Sequence, residues 1–285
     1  MMRKLKILIV GLLVSSLAFV SCTNEENISI EEGKGRINVL LTDAPYPIEL
    51  ISNAYVTIDK VEIRKKTEAE MDEEKDSFIV LNEENMVIDL LELTNGITEE
   101  IAAAELEAGY YDMIRLHVVD ATVVLNDGSE FDLKVPSGSS SGLKIKIQPE
   151  IHLEEGQTSD VLLDFDVSRS FVVKGPIDNI NGFNFKPVVR GVYMGAAGRI
   201  EGNVTDTLAT PLEDAMIKAW MPGETEGDSL DYVSSFTDEL GDYKIIGLKE
   251  GTYTVVCEME GYENDTLKDV IVTAGESVSA DFELK

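Results

Sequence analysis

The chain has one tryptophan, two cysteines and two histidines in 285 residues. Two cysteines permit one disulfide at most. His117 and His152 stand in strand-like runs with no metal-ligand spacing around them, which argues against a zinc site. Cations are scarce too: 24 Lys+Arg against 54 Asp+Glu give a formal net charge of −30. A surface with that balance repels nucleic acid, phosphate-rich lipid and acidic glycans, so nucleic acid is not expected as a partner. No zincin motif, nucleophile elbow or dinucleotide fingerprint occurs, and the stretch Ser137-Gly138-Ser139-Ser140-Ser141-Gly142-Leu143-Lys144 lacks P-loop spacing. An enzyme is therefore not expected. Helical periodicity is nearly missing, and beyond the first 21 residues no apolar run is long enough to span a bilayer.

What the chain does have begins at its start. Arg3, Lys4 and Lys6 precede an apolar stretch over 7–20, too short for a comfortable membrane span, which reads as an export signal. The stretch Leu17-Ala18-Phe19-Val20-Ser21-Cys22 resembles the lipobox of bacterial lipoproteins, with Phe19 where leucine is usual. The resemblance implies that residues 1–21 are a lipoprotein signal peptide and that Cys22 carries a diacylglyceryl thioether and an acylated amine. Each buried methylene then contributes about 0.8 kcal/mol of anchoring. The following Thr23-Asn24-Glu25-Glu26 resembles the acidic export tag of surface lipoproteins in the Bacteroidota. It implies an outer-membrane, lipid-anchored, surface-exposed protein on a tether over 22–34. Loss of residues 1–21 removes three cations and takes the net charge from −30 to −33. With Cys22 lipidated, Cys257 has no partner for an intrachain disulfide.

From residue 35 onward the signal is period two, with short apolar runs broken by Gly, Pro, Asn and Asp. The expected class is all-β: two β-sandwich domains in series, over 35–194 and 199–285, joined by the linker Gly195-Ala196-Ala197-Gly198. In the first block, strands are expected at 36–41, 54–64, 78–81, 87–91, 111–119, 121–125, 130–135, 143–148, 161–167 and 183–192. The apolar phase changes between Val56 and Ile58 on one side and Val61 and Ile63 on the other, which predicts a bulge near Asp59. One helix is expected, over 98–106, capped by Thr98. The segment 67–76 holds six acids and one lysine and reads as a solvated loop.

Five ordered motifs in this block resemble a family known only as domain of unknown function 4382. They are Leu41-Thr42-Asp43-Ala44-Pro45; Ala108-Gly109-Tyr110-Tyr111 with Ile114-Arg115-Leu116; Val135-Pro136-Ser137-Gly138; Leu163-Asp164-Phe165-Asp166 with Ser168 and Ser170; and Lys186-Pro187-Val188-Val189. The resemblance implies an exported β-sandwich domain of bacterial cell-surface proteins and supplies no catalytic residues. In a strand, Asp164 and Asp166 share one face while Leu163, Phe165 and Val167 share the other, with the two acids about 7 Å apart. With Asp43 brought in from the first strand end, they form a candidate Ca²⁺ site through oxygen ligands; capping of turns and backbone N–H groups is the plainer alternative. No other cofactor is expected.

In the second block, Ile200, Gly202 and Val204 alternate with polar neighbours, as do Ala215, Ile217 and Ala219, and Tyr253, Val255, Cys257 and Met259. This alternation predicts Cys257 to be a buried, unreactive hydrophobe. Thr237-Asp238-Glu239 with Gly241 and Tyr243, Gly247-Leu248, Gly251-Thr252-Tyr253-Thr254-Val255 and Gly261-Tyr262 resemble the carboxypeptidase regulatory-like domain, a prealbumin-type sandwich. That resemblance implies spacer, docking or carbohydrate-binding-like roles and no peptidase chemistry. A Lys–Asn isopeptide cross-link like that of related adhesin sandwiches is not expected: Glu258 stands near the place of the promoting acid, but the first strand has no lysine and the last offers Asp281 in place of Asn. Three Asp-Ser/Thr-Leu triplets make Thr207, Ser229 and Thr266 candidates for O-glycosylation. Trp220 faces away from Ala219 and is a candidate for stacking on a sugar ring. These features together predict a surface-tethered binding or structural module whose partner is a glycan or an envelope protein. The alternatives are a pilin-like or adhesive assembly subunit and, last, an envelope hydrolase.

Overall fold

The computed structural model describes residues 30–44, 51–66, 78–135, 141–176, 180–223 and 232–285. The first domain comprises β1 (Lys34–Ala44), β2 (Ile51–Lys66), β3 (Phe78–Asn82), β4 (Met86–Asp89), β5 (Glu99–Glu107), β6 (Gly109–Leu125), β7 (Glu130–Leu133), β8 (Leu143–Leu153), β9 (Thr158–Asp166), β10 (Phe171–Val173), β11 (Phe183–Phe185) and β12 (Val189–Tyr193). Ten of these form one sheet in the order β3-β2-β6-β8-β12-β9-β1-β5, with β4 also on β2 and β7 also on β6, while β10 and β11 make a separate ribbon. Pairing is antiparallel except for β1 with β9 and β8 with β12. The sheet coils until its two ends meet, where the Asn82 side chain of β3 donates to the Ile101 carbonyl of β5 at 2.8 Å. Coiling removes most of the open edge and wraps one core.

That core is assembled from the period-two faces. Ile37, Val39 and Leu41 of β1, Ile114 and Leu116 of β6, and Leu163 and Phe165 of β9 all belong to it. In β2 the phase slip is real: Val56, Ile58, Val61 and Ile63 are all fully buried. The register against β6 shifts on both sides of Ile58 and passes over Asp59, the bulge the sequence predicts.

The expected helix over 98–106 is instead strand β5. Its backbone pairs with β1 from Lys34↔Glu107 to Leu41↔Glu99, and Ile101, Ala102 and Leu106 are buried. Glutamate and alanine favour a helix locally, but a strand beside β1 satisfies the ladder groups of both strands and closes the core. Tertiary pairing thus overrides a propensity of a few tenths of a kcal/mol per residue.

The second domain comprises β13 (Ala197–Asp206), β14 (Met216–Trp220), β15 (Val233–Phe236), β16 (Asp242–Lys249), β17 (Gly251–Glu258), β18 (Asp265–Val272), β19 (Ser277–Ser279) and β20 (Phe282–Leu284). One sheet runs β16-β13-β19 with β20 also on β13, the other β15-β14-β17-β18. Between them lie Ile200, Val204, Ile217, Ala219, Val255, Cys257 and Phe282. Burial pushes the Cys257 thiol up to about 12, so it stays protonated and inert. Residues 195–198 run through a 3-10 turn, Met194–Ala196, straight into β13. Among the described residues no helix is long and apolar enough to cross a membrane.

Candidate functional site

The parallel pairing of β1 with β9 decides what the three candidate carboxylates can do together. Thr42 lies opposite Asp164, Asp43 opposite Phe165 and Ala44 opposite Asp166. Alternation therefore puts Asp43 on the core side with Val39 and Leu41, and Asp164 on the outer side with Leu162. Each carboxylate has its own partners. Asp43 Oδ1 accepts from Val167 N at 3.0 Å, while its Oδ2 is buried with no hydrogen-bond partner among the described residues. Asp164 Oδ2 accepts from Arg190 Nη2 at 2.8 Å and Nε at 3.3 Å. Asp166 caps the helical turn Val167–Ser170, accepting from Arg169 N at 2.8 Å, Ser168 Oγ at 2.7 Å and Arg169 Nε at 2.5 Å. Among the described residues no group of three or more His, Cys, Asp or Glu is placed to hold a metal ion.

Asp43 is the unusual member. Burial pushes its carboxyl well above the ordinary value; the Val167 N–H pulls it down, and the charges of Asp164, Asp166 and Asp89 push it up further. It borders a narrow cleft, with room for about one water, lined also by Thr42, Asn95, Asp164, Ser235 and Lys244.

That cleft lies on the seam between the domains. Asn95, in the left-handed region at φ 56°, spans it: its Oδ1 accepts from Lys244 N at 2.6 Å and its Nδ2 donates to the Asp242 carbonyl at 3.2 Å. Arg190 spans it too, holding Asp164 on its own domain while Nη1 donates to the Gly247 carbonyl at 3.2 Å. Beside these polar ties, Leu162, Val192 and Ala197 are buried together, with Leu40, Met194 and Ile246 packed around them. Gly247, at φ +69°, lets the β16 backbone approach Leu162; a Cβ there would sit 2.8 Å from Leu162 Cδ2. Sequence reasoning missed Asn95, Arg190 and Lys244. The Asn95-Gly96 pair does signal a turn, but nothing local tells which backbone its side chain reaches.

The remaining candidates are dispersed. Trp220 is half-buried at the end of β14, opposite Thr254 and facing away from Ile217 and Ala219. Thr207 is exposed in the turn after β13, whose Asp206 carboxylate accepts from Leu208 N and Thr210 N, both at 2.8 Å. Thr266 is exposed on β18. Cys22 and Ser229 lie outside the described residues. Glu258 pairs with Lys218 of the neighbouring strand at 2.5 Å. Of the two histidines, His117 Nε2 lies 2.9 Å from Glu62 Oε2, and His152 stacks on Tyr110.

Two strand-built cores clamped along one seam define a two-domain all-β protein. The chain belongs to the family described as Domain of unknown function (DUF4382), whose model matches residues 34–187. Residues 199–285 match the Carboxypeptidase regulatory-like domain. No curated protein matches the chain. Solved structures to which it is similar include the Bacillus anthracis TIE protein, at 14% identity, TM-score 0.26 and coverage of 89% of this chain and 34% of that one. Others are BcpA, the major pilin subunit of Bacillus cereus (10% identity, TM-score 0.26, 88% and 70% coverage), and the shaft pilin SpaA of Lactobacillus rhamnosus GG (12%, 0.25, 88% and 98%). The chain thus spans about a third of the TIE protein it matches.

Proposed function

We propose that the chain is a non-catalytic cell-envelope lipoprotein: a binding or structural module held at the outer surface of the outer membrane by lipid on Cys22, with a glycan or an envelope protein as its partner. The observation that carries this reading is the seam. Asn95, Arg190 and the Leu162–Val192–Ala197 packing turn two domains into one stiff arm. Such an arm behind a polar tether suits a surface held away from the membrane, whereas a hinged pair would suit a closing cleft. At the seam Asn95 bonds Lys244 N and the Asp242 carbonyl, and Arg190 bonds Asp164 and the Gly247 carbonyl.

The test is cell fractionation of the Cys22→Ser variant. The variant should move from the membrane to the soluble fraction, lose palmitate labelling and keep the thermal unfolding profile of the parent. Continued sedimentation with membranes together with palmitate labelling would overturn the reading.

A further inference from the structure

Asn95 and Gly96 are the central residues of a tight turn, closed by Ile97 N donating to the Thr94 carbonyl at 3.1 Å. Both have positive φ, 56° and 76°, as a type I′ turn requires. The turn stands at the seam, and the Asn95 side chain is its clasp: Oδ1 accepts from Lys244 N at 2.6 Å and Nδ2 donates to the Asp242 carbonyl at 3.2 Å. A primary amide supplies both the acceptor and the donor that the clasp uses. Position 96 in turn favours glycine, because side chains rarely adopt its φ and a Cβ would sit 2.9 Å from Lys244 Cδ. The seam therefore calls for asparagine followed by glycine.

That pair carries chemistry of its own. Gly96 N can attack Asn95 Cγ: the N–H proton passes to water, the N–Cγ bond forms, the Cγ–Nδ2 bond breaks and ammonia leaves, closing a five-membered imide. Water then opens the ring. Opening at Cγ gives aspartate; opening at the Asn95 backbone carbonyl carbon gives isoaspartate, with the main chain rerouted through the side chain. Glycine has no Cβ to obstruct the attack. With the clasp closed, two bonds hold the amide toward the second domain, so ring closure has to follow their breaking.

We propose that Asn95 is a deamidation site gated by the domain seam. It is protected while the domains are docked, converts to aspartate or isoaspartate when they part, and no longer clasps afterwards. An aspartate side chain there keeps an acceptor for Lys244 N but has no donor for the Asp242 carbonyl, so two oxygens would face each other where Nδ2 now bridges. Its charge adds to that of Asp164 on the same cleft, with Lys244 and Arg190 as the nearby cations. Isoaspartate lengthens the main chain by one methylene within the turn and displaces the clasp. The loss of ammonia is irreversible, so a seam once opened stays loosened. This holds with or without lipid on Cys22.

The experiment keeps the full chain in warm, mildly alkaline buffer and follows the amide-to-acid mass gain in proteolytic fragments by mass spectrometry. Asn181, also followed by glycine and placed at the end of the β10–β11 ribbon, is the internal control. Asn95 should convert about tenfold or more slowly in the native chain than in urea, because the reaction draws on the open population alone. Leu162→Ala and, separately, Arg190→Gln loosen the seam; each should raise the Asn95 rate severalfold and leave the Asn181 rate unchanged. Asn95→Asp, the aspartate product, should melt below the wild type. Equal Asn95 rates in native chain and urea overturn the inference. So does an unaltered Asn95 rate in both seam variants, or a rise that Asn95 and Asn181 share, which marks global unfolding. Wild-type melting of Asn95→Asp overturns the loss of the clasp. None of these results touches the lipoprotein reading, which Cys22→Ser tests by itself.

Discussion

Asp43 is a carboxyl on the core side of β1, with one oxygen bonded to Val167 N and the other buried without a partner among the described residues. Because burial raises its folded value well above 3.8, the folded chain holds this proton more tightly than the unfolded one. Its contribution to stability is therefore fully present below the unfolded value and lost as pH rises through the folded value. Asp43→Asn keeps an oxygen for Val167 and removes the titration. Thermal melts from about pH 4 to pH 8, a span that starts near the unfolded aspartate value, should show the variant losing less Tm than the wild type as pH rises. Parallel curves would mean that Asp43 does not titrate there. The residue's type and its strand were readable in the sequence. That its neighbour acids point to the other face was not, because that follows from the β1–β9 register.

Strands differ in how openly they declare themselves. β2 does so fully, since its apolar positions change phase at one point and the ladder slips there. β5 does not, because Ala102, Ala103 and Ala104 carry no strand preference and its pairing partner β1 lies about 60 residues away. β13 shows a third case. Gly202 reads as one of an alternating set, yet its place depends on the chain's far end: a Cβ there would collide with the Ala280 carbonyl oxygen. Backbone has little room to yield, so Gly202→Ala should cost about 2 kcal/mol or more, read as a lowered urea midpoint. A midpoint equal to the wild type's would show that the β13–β19 approach relaxes freely.

For the whole molecule the decisive feature is the seam. Leu162 is fully buried there, against the second domain at Gly247. Leu162→Ala should cost about 2–5 kcal/mol and separate the unfolding of the two domains in calorimetry, where the wild type is expected to melt in one transition. One unchanged transition would mean that the domains do not stabilise each other. Charge also changes meaning at this scale. A total of −30 describes how the molecule meets distant ions, whereas contact at one face depends on local pairs such as Arg64 with Asp112 and Arg115 with Glu62.

The all-β class, the apolar face of most strands, the bulge at Asp59 and the buried state of Cys257 were legible in the amino-acid order, because period-two alternation is a local property that each strand carries unaided. That β5 is a strand, that Asp43 turns away from Asp164, that Asn95 and Arg190 tie the domains, and that Arg115 lies opposite Glu62 came from the packing of the folded chain. Each of those depends on which distant segment lies alongside, and pairing partners far apart in the chain leave no periodic trace in either segment.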